Sequence, residues 1–275
     1  MKSAITLCAV DEAAAGPFVF HDPLRDGFAK AAAHGYDAVE LFLPGPHFIS
    51  VDEVRSLATE HGLAIAAVGT GAGMVREGLS LTDPSEAKRT QALEFITAMI
   101  DFGGQLEAPA ILGSMQGKWG GEVSREEALK WLAAALRTAG ERAGRHGVPF
   151  IYEPLNRYET NLINRLAEGA RYLEDHNLQN IVLLADLFHM NIEEADLARA
   201  IRDAGKHTGH VHFADSNREA IGFGHTDPAP VVAALRETGY DGYLSAEIFP
   251  KPDADEAARQ TIAAFRQFVP SPAAG

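Results

Sequence analysis

Gly147-Val148-Pro149-Phe150-Ile151-Tyr152-Glu153 is a short apolar run that begins on a glycine and stops on a carboxylate. A run of this length, apolar on alternate and intervening positions alike, reads as a strand buried on both faces. The same plan recurs downstream as Ile181–Asp186, which also stops on a carboxylate, and as Tyr243–Glu247, which does so again. Between them His210–Ala214 carries a histidine at 212. Upstream, Ile5–Val10, Ala38–Leu43, Ala64–Val68 and Ala110–Gly113 complete a set of eight runs.

Longer amphipathic stretches separate these runs, and their starts are legible. Asp22-Pro23, Asp83-Pro84 and Asp227-Pro228 each predict an N-cap acceptor before a first-turn proline. Ser50…Glu53 and Ser124…Glu127 have capping-box spacing. After Ser124 the apolar stripe Leu129, Leu132, Leu136 and Ala139 has helical period. Gly35, Gly62, Gly147 and Gly239 mark helix ends just before the next strand. Eight β-then-α units without a break in composition predict one α/β domain over residues 1–269, a closed (β/α)₈ TIM barrel, with a flexible tail at 270–275.

An open doubly wound sheet is the rival, but no G-x-G-x-x-G follows the first strand. Gly69-Thr70-Gly71-Ala72-Gly73 lacks a following Gly-Lys-Ser/Thr and is read as a flexible rim loop. The chain holds 24 basic against 38 acidic residues, a net charge of −14, which disfavours a nucleic-acid partner. No apolar stretch approaches the ~20 residues of a membrane span. The start is read as a strand and not a signal peptide, and the lone Cys8 rules out an internal disulfide, so a cytoplasmic setting is expected. No interface signature stands out, although barrels of this kind commonly form homo-oligomers.

In an α/β barrel, function gathers at the C-terminal ends of the strands. Here Glu153, Asp186, His212 and Glu247 sit at such ends on consecutive strands. Three buried carboxylates would repel one another unless a cation lay between them. Three carboxylate oxygens and one imidazole suit one divalent metal ion, Mn²⁺, Mg²⁺ or Co²⁺, better than a thiolate-seeking metal. The alternative is that each acid caps a helix or pairs with a rim Arg or Lys.

Longer motifs surround these ends. Glu153-Pro154-Leu155-Asn156-Arg157-Tyr158-Glu159-Thr160-Asn161, Asp186-Leu187-Phe188-His189-Met190-Asn191, His212-Phe213-Ala214-Asp215-Ser216-Asn217-Arg218 and Tyr240-Asp241-Gly242-Tyr243 through Glu247 follow in order. Together they resemble the ketose 3-epimerases, the D-tagatose and D-psicose 3-epimerase group of the xylose-isomerase-like TIM barrels. The resemblance spans about Val148 to Pro250; upstream, only the rhythm of strand and helix matches. Gly69-Thr70-Gly71 and Glu77-Gly78-Leu79-Ser80 are similar in style to 5-keto-L-gluconate epimerase.

The resemblance implies an isomerase that inverts C3 of a free ketose or keto-sugar acid through an enediolate. It implies that Glu153, Asp186, His212 and Glu247 hold the metal, and that Glu153 and Glu247 also exchange the proton. His189 and Arg218 would hold the substrate's C2 oxygen, and Glu159 would sit by the C1 hydroxyl. The rivals are an aldose–ketose or hydroxypyruvate isomerase and an inosose- or dehydroshikimate-type dehydratase. An apurinic endonuclease relative would show extra histidines on strands three and four. A non-catalytic sugar-binding barrel would have no use for two opposed acids.

The remaining histidines read as structural or peripheral. His34, His61 and His146 stand beside glycines at helix ends. His210 is expected to point away from His212, toward the helix layer, and His225 is read as a loop residue. His21, His47, Gln116, Lys118 and Trp119 fall in βα loops that could shape a sugar pocket.

Overall fold

Strand β1 (Lys2–Cys8) opens a parallel sheet that continues through β2 (Ala38–Phe42), β3 (Ala64–Gly69), β4 (Ala110–Leu112), β5 (Phe150–Tyr152), β6 (Ile181–Asp186), β7 (Thr208–His212) and β8 (Tyr243–Ala246). The strands neighbour one another in chain order, and β8 returns to β1 with Lys2 opposite Tyr243 and Ile5 opposite Ala246, closing the barrel. The computed structural model describes residues 1–269; the tail expected at 270–275 lies outside the described residues.

The helices are α1 (Leu24–His34), α2 (Val51–His61), α3 (Ala72–Glu77), α4 (Glu86–Gln105), α5 (Arg125–Gly144), α6 (Leu166–Asp175), α7 (Leu187–Glu193), α8 (Leu197–Ala204), α9 (Pro228–Glu237) and α10 (Ala254–Phe268). Both capping boxes form: Ser50 and Ser124 accept from the backbone of Glu53 and Glu127, whose carboxylates reach back. Asp227 caps α9 with Pro228 in the first turn. Helices α1 and α2 end on left-handed Gly35 and Gly62, at φ 82° and 66°. On α5, Leu132, Leu136 and Ala139 are buried, with Leu129 packed at their edge.

Two caps differ from expectation. Helix α1 starts after Pro23 with no side-chain cap, and Asp22 instead pairs with Lys30 Nζ at 2.8 Å. Helix α4 starts two residues later than Asp83-Pro84 suggests, after Ser85, whose N–H donates to Asp83 Oδ1 at 2.8 Å. The glycine-rich 69–73 segment is not a loop throughout, because α3 begins within it. Its glycines serve close packing: a Cβ on Gly73 would stand 2.7 Å from Met115 Sδ. No helix among the described residues is long and apolar enough to cross a membrane.

The period of two sorts each strand into faces. On β5, Phe150 and Tyr152 face the helix ring and join the main apolar cluster. Ile151 joins Ala67, Ile111 and Leu184 inside the barrel. Small residues, Ala4, Ala38 and Ala66, form a further inner cluster. Residues two beyond an inner-facing one are inner-facing too, so Glu153 follows Ile151 and Asp186 follows Leu184 into the mouth of the barrel. Burial of each large outer side chain contributes roughly 1.5–3 kcal/mol. This outer packing holds the strand ends that carry the polar groups.

Candidate metal centre

Glu153 lies one residue past β5. Its N–H donates to Leu112 O at 3.0 Å, and its carbonyl accepts from Gln116 Nε2 at 2.9 Å. Gln116 in turn accepts from Tyr152 Oη at 2.9 Å. Gln116 therefore anchors the backbone of Glu153 and does not line the cavity at the barrel mouth. Gly113 leaves room for the acid: a Cβ there would stand 2.6 Å from Glu153 Oε2.

Asp186, the last residue of β6, uses its two oxygens differently. Oδ1 caps α7, accepting from Phe188 N at 2.8 Å and His189 N at 3.1 Å. Oδ2 turns inward, 3.1 Å from His212 Nδ1. Helix cap and candidate ligand are thus compatible readings of one side chain. His212 Nδ1 also lies 3.4 Å from Glu247 Oε2 and 3.7 Å from Glu153 Oε1. One ligand atom from each of Glu153, Asp186, His212 and Glu247 falls within 4.8 Å of the others.

The environment of this group calls for a cation. Glu153 Oε1 is buried without a hydrogen-bond partner. Burial above all, with Glu247 and Asp186 nearby, pushes the Glu153 carboxyl well above the usual range against the pull of His212 and Arg218. Burial also pushes Asp186 up, but His189, Arg218 and His212 outweigh it and hold that carboxyl below its ordinary value. An orphaned carboxylate oxygen beside two more acids and an imidazole nitrogen is a donor set fitted to one divalent ion of hard character.

His189, on α7, approaches from the side. Both the N–H and the Nδ2 of Asn156 donate to its Nδ1, at 3.4 and 2.7 Å. A backbone N–H can only donate, so Nδ1 is the acceptor and Nε2 carries the proton. That Nε2 has no partner and lies 3.7 Å from Glu153 Oε1. Burial lowers the His189 pKa, favouring the neutral ring. Asn156 also donates to Glu159 Oε1 at 3.0 Å, so one amide orients two candidate substrate contacts. Glu159 is half-exposed at the rim, 3.7 Å from Arg218 Nη1.

Arg218 is buried, pairs with Glu247 and lies with its guanidinium 4.9 Å from the centre of the Phe188 ring. Its backbone is left-handed at φ 61°, an uncommon conformation for a side chain of this size. Arg218 N donates to Asp215 O at 2.8 Å in this turn, and the loop around it is gathered by the Asp215 carboxylate, which accepts four backbone N–H groups: Ser216 and Thr226 on Oδ1, Gly222 and Gly224 on Oδ2, at 2.7–2.9 Å. Phe249 N donates to Arg218 O at 2.8 Å, tying the loop to the strand end beyond β8. Asp215→Asn presents an amide where two of those N–H groups need an acceptor. The expected loss is about 2–5 kcal/mol in stability, measured by denaturant unfolding. Because charge on Asp215 is favoured by these bonds against burial, its contribution is present at neutral pH and lost as pH falls below the ordinary carboxylate range.

Above these residues opens a cavity of about 350 Å³. Glu153, Glu247, His189 and Arg218 line its polar floor, Glu159 its rim, and Pro17, Phe18, Phe42 and Val75 its apolar wall. The wall comes from the N-terminal half: Pro17 and Phe18 from the segment after β1, Phe42 from the end of β2 and Val75 from α3. Phe18 and Phe42 stack with centroids 4.4 Å apart. His21, His47, Lys118 and Trp119 do not line this cavity. Trp119 instead binds Asn161, and Lys118 Nζ donates to Tyr158 O at 3.1 Å. His225 is a loop residue whose N–H donates to Ser216 Oγ at 3.0 Å.

The expectation for His210 is wrong. Positions 210 and 212 are two apart on β7 and so share a face. His210 Nε2 lies 2.7 Å from Glu40 Oε2, and His212 Nε2 lies 3.1 Å from Glu40 Oε1. Glu40 was missed because it lies within β2 and not at its end. The available signal was a carboxylate in the middle of the apolar run Ala38-Val39-Glu40-Leu41-Phe42.

Comparisons with known proteins agree with this geometry. A family model described as xylose isomerase-like TIM barrel matches residues 28–268. The chain is 34% identical to the L-ribulose 3-epimerase of Methylomonas sp. (strain DH-1), covering 88% of this chain and 84% of that one. It is 32% identical to the ketose 3-epimerase of Arthrobacter globiformis, covering 82% of this chain and 78% of that one. The crystal structure of a D-allulose 3-epimerase from Methylomonas sp. in complex with D-allulose superposes with a TM-score of 0.79 at 28% identity, covering 98% of both chains. The chain belongs to the ketose 3-epimerase family of the xylose isomerase-like TIM barrels and is a carbohydrate epimerase. The likeness extends well upstream of Val148, into the half where the motifs alone showed only rhythm.

Proposed function

We propose that this epimerase inverts C3 of free ketoses by passing a proton between the substrate and two acids, Glu153 and Glu247. The observation that carries the reading is the convergence of these acids with His189 Nε2 and Arg218 on the floor of one cavity. The acids stand on strand ends three places apart around the barrel, so they can meet a planar intermediate from different sides. A C3 proton becomes removable because the adjacent C2 carbonyl takes up the charge as an enediolate. His189 offers its Nε2–H to that oxygen, and Arg218 offers a permanently charged donor fork. Glu159 accepts from the C1 hydroxyl at the rim.

Glu153, Asp186, His212 and Glu247 would hold one divalent ion, Mn²⁺ foremost and Mg²⁺ or Co²⁺ otherwise. When bound, the ion supplies Lewis-acid stabilisation of the charge that develops on the substrate oxygens. One acid removes the C3 proton and the other delivers a proton to the opposite face. Burial of the floor keeps water from competing for either transfer. A cytoplasmic setting accords with Cys8, a buried free thiol pushed up to about 11 by burial.

The test is product analysis of the metal-loaded and the thoroughly chelated protein on one panel. L-Ribulose, D-allulose, D-fructose and D-tagatose are each expected to give their C3 epimer with no change in hydroxyl count. Chelation should abolish turnover, and Mn²⁺ should restore it. Full activity in demonstrably metal-free protein contradicts the metal reading. Turnover confined to hydroxypyruvate, or loss of water from a cyclic ketone, moves the enzyme to the isomerases or the dehydratases.

A further inference from the structure

Below the metal centre, inside the barrel, lies a second group of buried polar residues: Glu40 on β2, with His210 and His212 on β7. All three are at most 4% exposed. Strands β2 and β7 are not neighbours, since β8 and β1 lie between them. The carboxylate therefore reaches across the interior to bond both imidazoles, at 2.7 and 3.1 Å. The two rings stand 5.6 Å apart and nearly perpendicular, at 81°, so each presents Nε2 to a different oxygen of Glu40.

The three residues are close enough to hold an ion of their own. The pairing argues otherwise. Both Glu40 oxygens and both Nε2 atoms are already matched at hydrogen-bond distance, whereas the upper site leaves Glu153 Oε1 without a partner. The lower group is a completed hydrogen-bond bridge, and its upper end is a residue of the metal centre.

We propose that Glu40 is the positioning residue of the metal centre: it accepts the Nε2–H of His212 and so leaves Nδ1 free to ligate, while His210 holds Glu40 in place from the same strand. The proposal rests on the reading of His212 as a ligand. An imidazole has two nitrogens, and the partner of one decides which is left for the metal. In this chain Nδ1 faces Asp186, Glu247 and Glu153, so Nε2 is the nitrogen whose partner matters. An ionised carboxylate can only accept, which leaves no choice of tautomer; an amide could accept or donate. His210 occupies the second oxygen, which removes the freedom of the carboxylate to rotate away from His212. A carboxylate behind a ligating imidazole also makes that imidazole the more basic donor.

The test is titration of metal-stripped protein with Mn²⁺ alone, with free Mn²⁺ read by electron paramagnetic resonance and folding checked by circular dichroism. Glu40→Gln is expected to bind Mn²⁺ about 10–100-fold more weakly than wild type while remaining folded. His210→Leu should weaken binding in the same direction. His210→Gln, whose amide can still donate to Glu40, should stay near wild type. Histidine ¹⁵N spectra of the Mg²⁺-loaded protein should show His212 protonated at Nε2 in wild type and lose that signature in Glu40→Gln. Wild-type Mn²⁺ affinity in Glu40→Gln overturns the proposal. If that variant does not fold, unchanged affinity in His210→Leu overturns it equally. Failure of the wild-type protein to bind Mn²⁺ overturns the metal reading itself, and this proposal with it.

Discussion

Glu153→Gln is expected to lower kcat for C3 epimerisation by about 10²–10⁴-fold at saturating Mn²⁺, the range that a positioned general acid–base group supplies. The amide keeps the size of the side chain and one oxygen to offer a cation, but it cannot take up a proton. The site gives it no substitute: the group nearest Glu153 Oε1 on the α7 side is His189, whose Nε2 already carries its proton. Metal occupancy must be measured alongside the rate, so that loss of the ion is not mistaken for loss of the base. A kcat within tenfold of wild type in fully loaded protein would remove Glu153 from the chemistry. Glu247→Gln, loaded in the same way, should stop inversion but leave Glu153 able to exchange the C3 proton of one epimer.

Arg218→Ala is the second large effect, with a different signature. It should cost roughly 2–4 kcal/mol of transition-state stabilisation, as loss of a single preorganised oxyanion donor does, and leave the metal bound. Arg218 cannot ligate a cation, and it now lies against two of the acids, pairing with Glu247 and standing 3.6 Å from Asp186 Oδ2. Removing its charge leaves those acids more negative, so metal affinity should hold or rise. Asp186→Asn should do the reverse, weakening metal binding first. Kinetics paired with Mn²⁺ titration separate the two. Release of metal from Arg218→Ala, or an unchanged rate, would show the assignment to be wrong.

The strand ends were legible because a charge that stops an apolar run is costly unless something uses it. Glu153, Asp186, His212 and Glu247 stood out for that reason, and the closed barrel followed from eight buried runs alternating with amphipathic stretches. Glu40 obeys the same physics but sits inside its strand, and its partners lie 170 and 172 residues away, so no local pattern points to them. The period of two puts His210 on the face of His212, where Glu40 bonds both. Asn156 and Gln116 act on backbone and ring atoms that only the folded chain brings near. The caps at Asp22 and Asp83 failed because Lys30 competes for one carboxylate and a tighter turn onto Ser85 uses the other. The apolar wall at Phe18 and Phe42 had no motif at all, since lining a cavity needs only shape and apolar surface.

Inversion at C3 by two acids can be tested most directly with the wild-type, metal-loaded enzyme and a ketose in D₂O, with deuterium in the recovered sugars located by NMR. Breaking the C3–H bond and returning a proton from a solvent-exchanged carboxyl group places deuterium at C3. The expected result is label at C3 of the product epimer, none at C1, and an unchanged number of hydroxyls. Label at C2 of an aldose product, and at C1 of the recovered ketose, with none at C3, would contradict epimerisation at C3 and place the proton transfer on the other side of the carbonyl.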